Sequence, residues 1–250
     1  MSGEKLFGVI VCDSQAKWGG PEGIAKRVEN LLSTENSVWK TFKAEEGEFP
    51  TEDELNTFHA IYITGSKHSV HDKTQQWIKG LEHFIQRAYD LKKPKVFGTC
   101  FGHQIIAQAL GGKVALNPSR RFICHNEEIQ LCGDDSDDSV FLRNLRKIND
   151  GKPFRILQSH SDCVEELPEN AKNVATSDSC EHEIVLFSVN IIGSQSHADF
   201  TVEDLTEIIL PSKMNANAIT KEELEYANQS FQQPNNCLDL AKAIREFFNS

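Results

Sequence analysis

The chain has 250 residues, enough for one substantial α/β domain, and its 39% hydrophobic and 25% charged residues are the balance of an ordinary globular protein. A net charge of −11 argues against a nucleic-acid binder and against docking on an anionic membrane face. No run approaches the ~18 apolar residues of a spanning helix. The start, Met1 to Phe7, shows no long apolar signal region, and the seven cysteines include no Cys-x-x-Cys pair, so reduced thiols in the cytosol are expected.

Leu6–Cys12 is a continuous apolar run, as for a strand buried on both faces of a parallel sheet. A Gly/Pro loop around Gly19-Gly20-Pro21 follows, then Ile24, Val28, Leu31 and Leu32 at helical spacing. Val38–Phe42 alternates like a second strand, and Glu45 to Asp53 reads as a solvated acidic loop. His59–Thr64 is a third strand broken at Gly65-Ser66. Beyond the polar loop Lys67 to Lys73, an amphipathic helix runs from about Gln75 to Leu91.

Next comes Val96-Phe97-Gly98-Thr99-Cys100-Phe101-Gly102-His103-Gln104, an apolar run entering a Gly-x-Cys-x-Gly turn with a helical pattern, Ile105 to Leu110, directly behind it. This is the layout of a nucleophile elbow, in which a strained strand-to-helix turn lifts one side chain above the sheet edge. Gly98 and Gly102 leave room for close backbone approach, and the helix N-terminus favours the Cys100 thiolate.

Gly111-Gly112 ends that helix. Arg120–Ile123 and Glu128–Leu131 alternate with period two and read as antiparallel strands. Asp134–Asp138 lacks the Gly and terminal Glu of a calcium loop and reads as a solvated turn. Further strands are expected over Phe154–Leu157, Val174–Ser177, Ile184–Ser188 and Asn190–Gln195, and helices over Val202–Leu210, Lys221–Gln229 and Leu238–Phe248. The β-α alternation implies an α/β fold with a mostly parallel central sheet, helices on both faces and a small antiparallel extension. The expected domain is single, with a core over about 5–205 and a helical C-terminal extension over 206–250.

Ligands of such sheets bind outside the carboxyl ends of the strands, where Gly65-Ser66 and Cys100 both fall. A thiol nucleophile needs a base, and the base a carboxylate to orient it. His197 at the end of the last strand, with Asp199 two residues on, supplies both. His160, followed by Asp162, competes with it as base. The amides of Phe101 and of Gly65-Ser66 are candidates for binding an oxyanion. His103 reads as the start of the elbow helix, and His68, His71, His125 and His182 as surface residues. Cys124-His125 and Cys180-x-His182 are too sparse for zinc, so no metal site is expected.

Gly98-Thr-Cys-Phe-Gly-His-Gln104 resembles the glutaminase elbow of the class I glutamine amidotransferases. Gly193-Ser-Gln-Ser-His-Ala-Asp199 stands where that family has its Gln-x-His-Pro-Glu segment. Ile63-Thr-Gly-Ser66 with Ser69-Val70, the Gln158-Ser-His-Ser-Asp162 segment, and no attached synthase portion are similar to the stand-alone plant γ-glutamyl peptidases. The resemblance implies a class I amidotransferase-like (flavodoxin-like) fold and hydrolysis of a γ-glutamyl amide, such as a glutathione conjugate. It implies a thioester on Cys100, His197 as base, oxyanion amides at Gly65 and Phe101, and Gln104 holding the glutamyl part. No cofactor is implied, and the partner is a small γ-glutamyl substrate, not nucleic acid or membrane. Ala198 and Asp199 depart from the usual Pro and Glu, and Arg120 to Glu128 lacks the family's glycines and would line the substrate mouth. Two other readings stay open: a glutaminase subunit delivering ammonia to a separate synthase, and a diverged pseudoenzyme that binds γ-glutamyl ligands.

Overall fold

The computed structural model of the protein describes residues 3–132, 139–149 and 153–250. The acidic run Asp134–Asp138 lies outside the described residues. In chain order the elements are β1 (Lys5–Val11), α1 (Gly20–Leu32), β2 (Ser37–Lys43), α2 (Glu52–Leu55), β3 (Ala60–Ile63), α3 (Trp77–Leu91), β4 (Lys95–Thr99) and α4 (Phe101–Ala109). Then come β5 (Lys113–Leu116), β6 (Asn126–Leu131), α5 (Val140–Asn149), β7 (Phe154–Leu157), β8 (Asp162–Glu166), β9 (Lys172–Thr176), β10 (Ile184–Ser188) and β11 (Ile191–Ser194). A π-helical turn over Asp204–Ile209 leads into α6 (Leu210–Asn215), α7 (Lys221–Ser230) and α8 (Cys237–Asn249).

Among the described residues one sheet has the order β2-β1-β3-β4-β11-β10-β9-β6-β7, and β5 pairs with β8 apart from it. The pairs β1–β2, β1–β3, β3–β4 and β4–β11 are parallel, and the strands from β10 to β7 join antiparallel. The carboxyl ends of β1, β3, β4 and β11 therefore share one edge of the sheet. Buried apolar residues of α1, α5 and α8 pack on one face of the sheet, those of α3 and α4 on the other. The C-terminal helix α8 covers β1 on the first face, where Phe248 stacks on Phe7 at 6.2 Å between ring centroids.

Several local expectations change. Arg120–Ile123 is a turn rather than a strand: Arg120 sits at φ 56°, and only Ile123 pairs, across a single bridge, with His160. Asn117 holds that turn, its amide donating to the carbonyls of Arg121 (2.7 Å) and Ser161 (2.8 Å). The acidic stretch from Glu45 contains a helical turn, Ala44–Glu46, and the short helix α2. That helix starts with a capping box, because Thr51 Oγ1 accepts from the Glu54 amide while Glu54 accepts from the Thr51 amide.

Candidate active site

The elbow has the geometry its glycines allow. Cys100 sits between β4 and α4 at φ 52°, ψ −107°, a conformation that costs a side-chain-bearing residue energy and is held by its surroundings. The Cys100 amide donates to Ser194 O on β11 (2.8 Å), and its carbonyl receives the Gln104 amide (3.0 Å). A Cβ at Gly98 would lie 2.5 Å from backbone atoms of Gly102, and one at Gly102 2.4 Å from Ile63 O. Strand β4, helix α4 and strand β3 thus meet backbone to backbone, and only glycine fits. The Phe101 amide opens α4 and has no acceptor within the helix, so it is free to face a ligand.

His197 arrives from β11. Its amide donates to Leu157 O (2.9 Å), tying it to the end of β7, and its Nδ1 lies 3.0 Å from Asp199 Oδ1. The shorter Asp199 therefore reaches the imidazole. With Nδ1 committed to the carboxylate, Nε2 is left for Cys100. Gly65 marks where the Cys100 and His197 side chains converge, because a Cβ there would be 3.2 Å from His197 Cε1 and 3.7 Å from Cys100 Cβ. Burial pushes the His197 pKa down, but the charges of Asp199 and Cys100 and the hydrogen bonds to them outweigh it and raise the pKa to about 10. The arrangement can hold a proton beside the sulfur and hand it to a departing group. Phe200 lies flat on the imidazole, centroids 3.9 Å apart, and fixes its plane.

Cys100, His197, Asp199, Gly65, Ser66, Phe101 and Gln104 all line one cleft of about 390 Å³, within the ~300–1,000 Å³ usual for small-molecule sites. Asp13 organises the loop after β3, its carboxylate accepting from the amides of Gln15 (2.8 Å) and Lys67 (3.0 Å). The Gln104 amide donates to Asp162 O (2.7 Å) and Gln195 Oε1 (3.0 Å), so that group orders the wall and offers a ligand only its oxygen. Ser159 to Asp162 line the cleft as well, and the Ser159 carbonyl lies 3.7 Å from Cys100 Sγ. Gln158 points the other way and donates to the buried Glu183 (3.0 Å).

The competing histidines are set apart by their partners. His160 lines the cleft, but its Nδ1 faces the Asp162 carbonyl (3.1 Å) and burial lowers its pKa to about 4, so it stays neutral with no carboxylate to orient it. His103 faces His182 O (2.9 Å) and is lowered to about 3 by burial, as suits a packed helix residue. His68 is not the surface residue expected: it lines the cleft, between Glu45 and Asp72 at 3.3 Å each.

The family model Glutamine amidotransferase class-I matches residues 22–213, well over half of the chain. The chain belongs to the class I glutamine amidotransferases. Among proteins of known sequence it is similar to Gamma-glutamyl peptidase 4 of Arabidopsis thaliana, at 35% identity over 180 residues, which is 72% of this chain and 69% of that protein. It is also similar to Gamma-glutamyl peptidase 5 of the same plant, at 33% over 180 residues with the same coverage. Among solved structures, a glutamine amidotransferase from Methylobacillus flagellatus superposes with a TM-score of 0.72 at 18% identity, covering 99% of this chain and 95% of that one, which is a likeness of fold.

Sequence reasoning missed the far wall of the site in this amidotransferase. Trp18 and Phe200 stack at 5.3 Å, and with Lys17, Arg27, Phe122 and Lys213 they line the cleft beyond His197. These residues come from the β1–α1 loop, helix α1, the turn after β5, the segment after β11 and helix α6. No spacing in the sequence links them; only the fold does.

Proposed function

We propose that this chain hydrolyses γ-glutamyl amide bonds, of the kind found in glutathione conjugates, with Cys100 as nucleophile, His197 as acid and base, and Asp199 orienting the imidazole. The observation that carries the reading is the meeting of Cys100 and the His197–Asp199 pair beside Gly65, at the sheet edge where the strained elbow presents the thiol. The γ-glutamyl peptidases among its relatives supply the substrate class.

In this mechanism the Cys100 thiolate adds to the γ-carbonyl carbon, and the oxyanion that forms is met by the amides of Phe101 and the Gly65-Ser66 turn. His197 gives the proton on Nε2 to the amide nitrogen as the C–N bond breaks. The amine leaves, and a γ-glutamyl thioester remains on Cys100. Neutral His197 then takes a proton from a water that attacks the thioester, and glutamate departs as the thiolate and imidazolium re-form. The 3.0 Å contact to Asp199 supports a working base in spite of the shorter side chain. The described cysteines are all free thiols, which suits a reducing compartment such as the cytosol.

The test is glutamate release from glutathione, a glutathione S-conjugate and free glutamine, comparing wild type with Cys100→Ala. Release from the conjugate that disappears in the variant is the expected result. Preference for glutamine would point to an ammonia-supplying subunit, and no release from any of the three would leave a ligand-binding pseudoenzyme.

A further inference from the structure

The cleft extends well past the reacting atoms, and its two ends differ in chemistry. On the Gln104 side Ser69 Oγ donates to Asp162 Oδ2 (2.7 Å), and the Gln104 side-chain amide is committed as described. On the other side, beyond His197, the surface is aromatic and cationic. Lys17 Nζ stands 5.2 Å from the centre of the Trp18 ring, and Lys213 Nζ stands 3.9 Å from that of Phe122. Arg27 also lies over Trp18, but its Nη1 donates to Asp204 and to the Asp199 carbonyl, so its charge is paired.

Lys17 and Lys213 differ from the other basic groups here, because no acidic side chain among the described residues pairs with either. The chain carries a net charge of −11, so acids to pair with are abundant, and two unpaired ammonium groups lining one cleft stand out. Lys213 is half-buried; burial lowers its pKa, the nearby Lys17 charge lowers it further, and Cys100 acts on it in the opposite sense. An anion bound by the two lysines would offset both the burial of the Lys213 ammonium and its repulsion by Lys17.

We propose that this end of the cleft is the subsite for the leaving amine, in which Lys213 and Lys17 bind a carboxylate carried by that amine and Trp18 and Phe122 hold its apolar side chain. The preferred substrates are then γ-glutamyl amino acids or peptides, in preference to glutamine and to γ-glutamyl amides that lack a carboxylate. The inference rests on the hydrolase reading above for the direction in which the substrate lies. Lys213 and Lys17 are specificity residues and take no part in bond making or breaking.

The test compares two compounds that differ only in the carboxylate, γ-glutamyl-phenylalanine and γ-glutamyl-phenethylamide, with wild type, Lys213→Met and Lys17→Met. A hydrogen bond to a charged group lost from a substrate accounts for roughly tenfold or more in kcat/KM, so wild type should favour the carboxylate compound by about that factor. Lys213→Met should collapse the ratio towards one, and Lys17→Met should reduce it. A merely structural role for these lysines would slow both compounds alike and leave the ratio unchanged. Binding of the same two compounds to Cys100→Ala, followed by calorimetry, reads the preference without turnover. A wild-type ratio near one, a ratio indifferent to both substitutions, or equal or absent binding of the two compounds to Cys100→Ala would overturn the inference. Failure of wild type to cleave either compound would overturn the hydrolase reading instead, and calorimetry would still decide the subsite.

Discussion

The strained backbone at Cys100 makes a prediction about stability that does not depend on the substrate. Cys100→Ala removes the thiol and keeps a Cβ at φ 52°, ψ −107°, whereas Cys100→Gly removes the Cβ as well. At an unstrained buried helical site the step from Ala to Gly costs about 1 kcal/mol in helix propensity and ~0.8 kcal/mol for the lost methyl burial, about 2 in all. Ala107, fully buried in α4, is such a site and serves as the control. At position 100 the same step releases backbone strain of about 1–3 kcal/mol, which offsets the cost. In urea unfolding with unchanged m-values, Ala107→Gly should therefore fall about 2 kcal/mol below wild type, and Cys100→Gly should match or exceed Cys100→Ala to within about 1 kcal/mol. If Cys100→Gly loses the same 2 kcal/mol relative to Cys100→Ala as the control loses, the elbow stores no strain and that part of the reasoning fails.

Other consequences follow from the same geometry. Gly98→Ala drives a methyl to 2.5 Å from Gly102 backbone and should destabilise the fold by roughly 3 kcal/mol or more, whereas Gly65→Ala meets His197 Cε1 at 3.2 Å and Cys100 Cβ at an ordinary 3.7 Å and should lower kcat at least about tenfold with a change of less than ~1 kcal/mol in stability; thermal melts and rates on both variants check the contrast. His197, held at about 10 by Asp199 and Cys100 against burial, contributes stability that is fully present below its unfolded value near 6.5 and is lost as pH rises through 10. Wild type should thus lose stability relative to His197→Gln across that window, at up to ~1.4 kcal/mol per pH unit, and parallel pH profiles would contradict this. Glu183 is raised to about 7 by burial first, with Glu127 adding to it against the hydrogen bonds from Gln158, Ser196 and Ser177. Its folded carboxyl keeps a proton that the unfolded chain releases, so stability is lost as pH climbs from 4.5 through 7; Glu183→Gln should gain on wild type at pH 8 relative to pH 5, and an equal difference at both pH values would refute it.

What could be read in the sequence was what is local in the chain. Gly98, Cys100 and Gly102 announce the elbow because the turn's constraints fall within five consecutive residues, and His197-x-Asp199 is legible because a carboxylate two residues on can reach the ring. The buried runs of β1, β3, β10 and β11 stand out because both faces of those strands are covered. Strand β5 is hard to read because it is four residues long, with Lys113 and Leu116 exposed, and it pairs with β8, far along the chain. Helix α5 has Phe141, Leu142 and Leu145 as its buried stripe, but this short stripe directly behind an acidic run gives little helical periodicity in the sequence. Arg120–Ile123 alternates like a strand but has no strand beside it, and the Asn117 side chain bends it into a turn. The leaving-group wall, Trp18, Phe122, Phe200 and Lys213, comes from four separate segments, and nothing short of the folded sheet brings them together.

The central claim is that Cys100 forms a covalent γ-glutamyl intermediate. It is tested most directly by mixing wild type with a γ-glutamyl peptide, quenching in acid within the first turnover, and measuring intact mass followed by peptide mapping. A glutamyl adduct is expected on the peptide carrying Cys100 and is expected to be absent from Cys100→Ala. Glutamate release with no adduct on Cys100, or release that persists in Cys100→Ala, would contradict it.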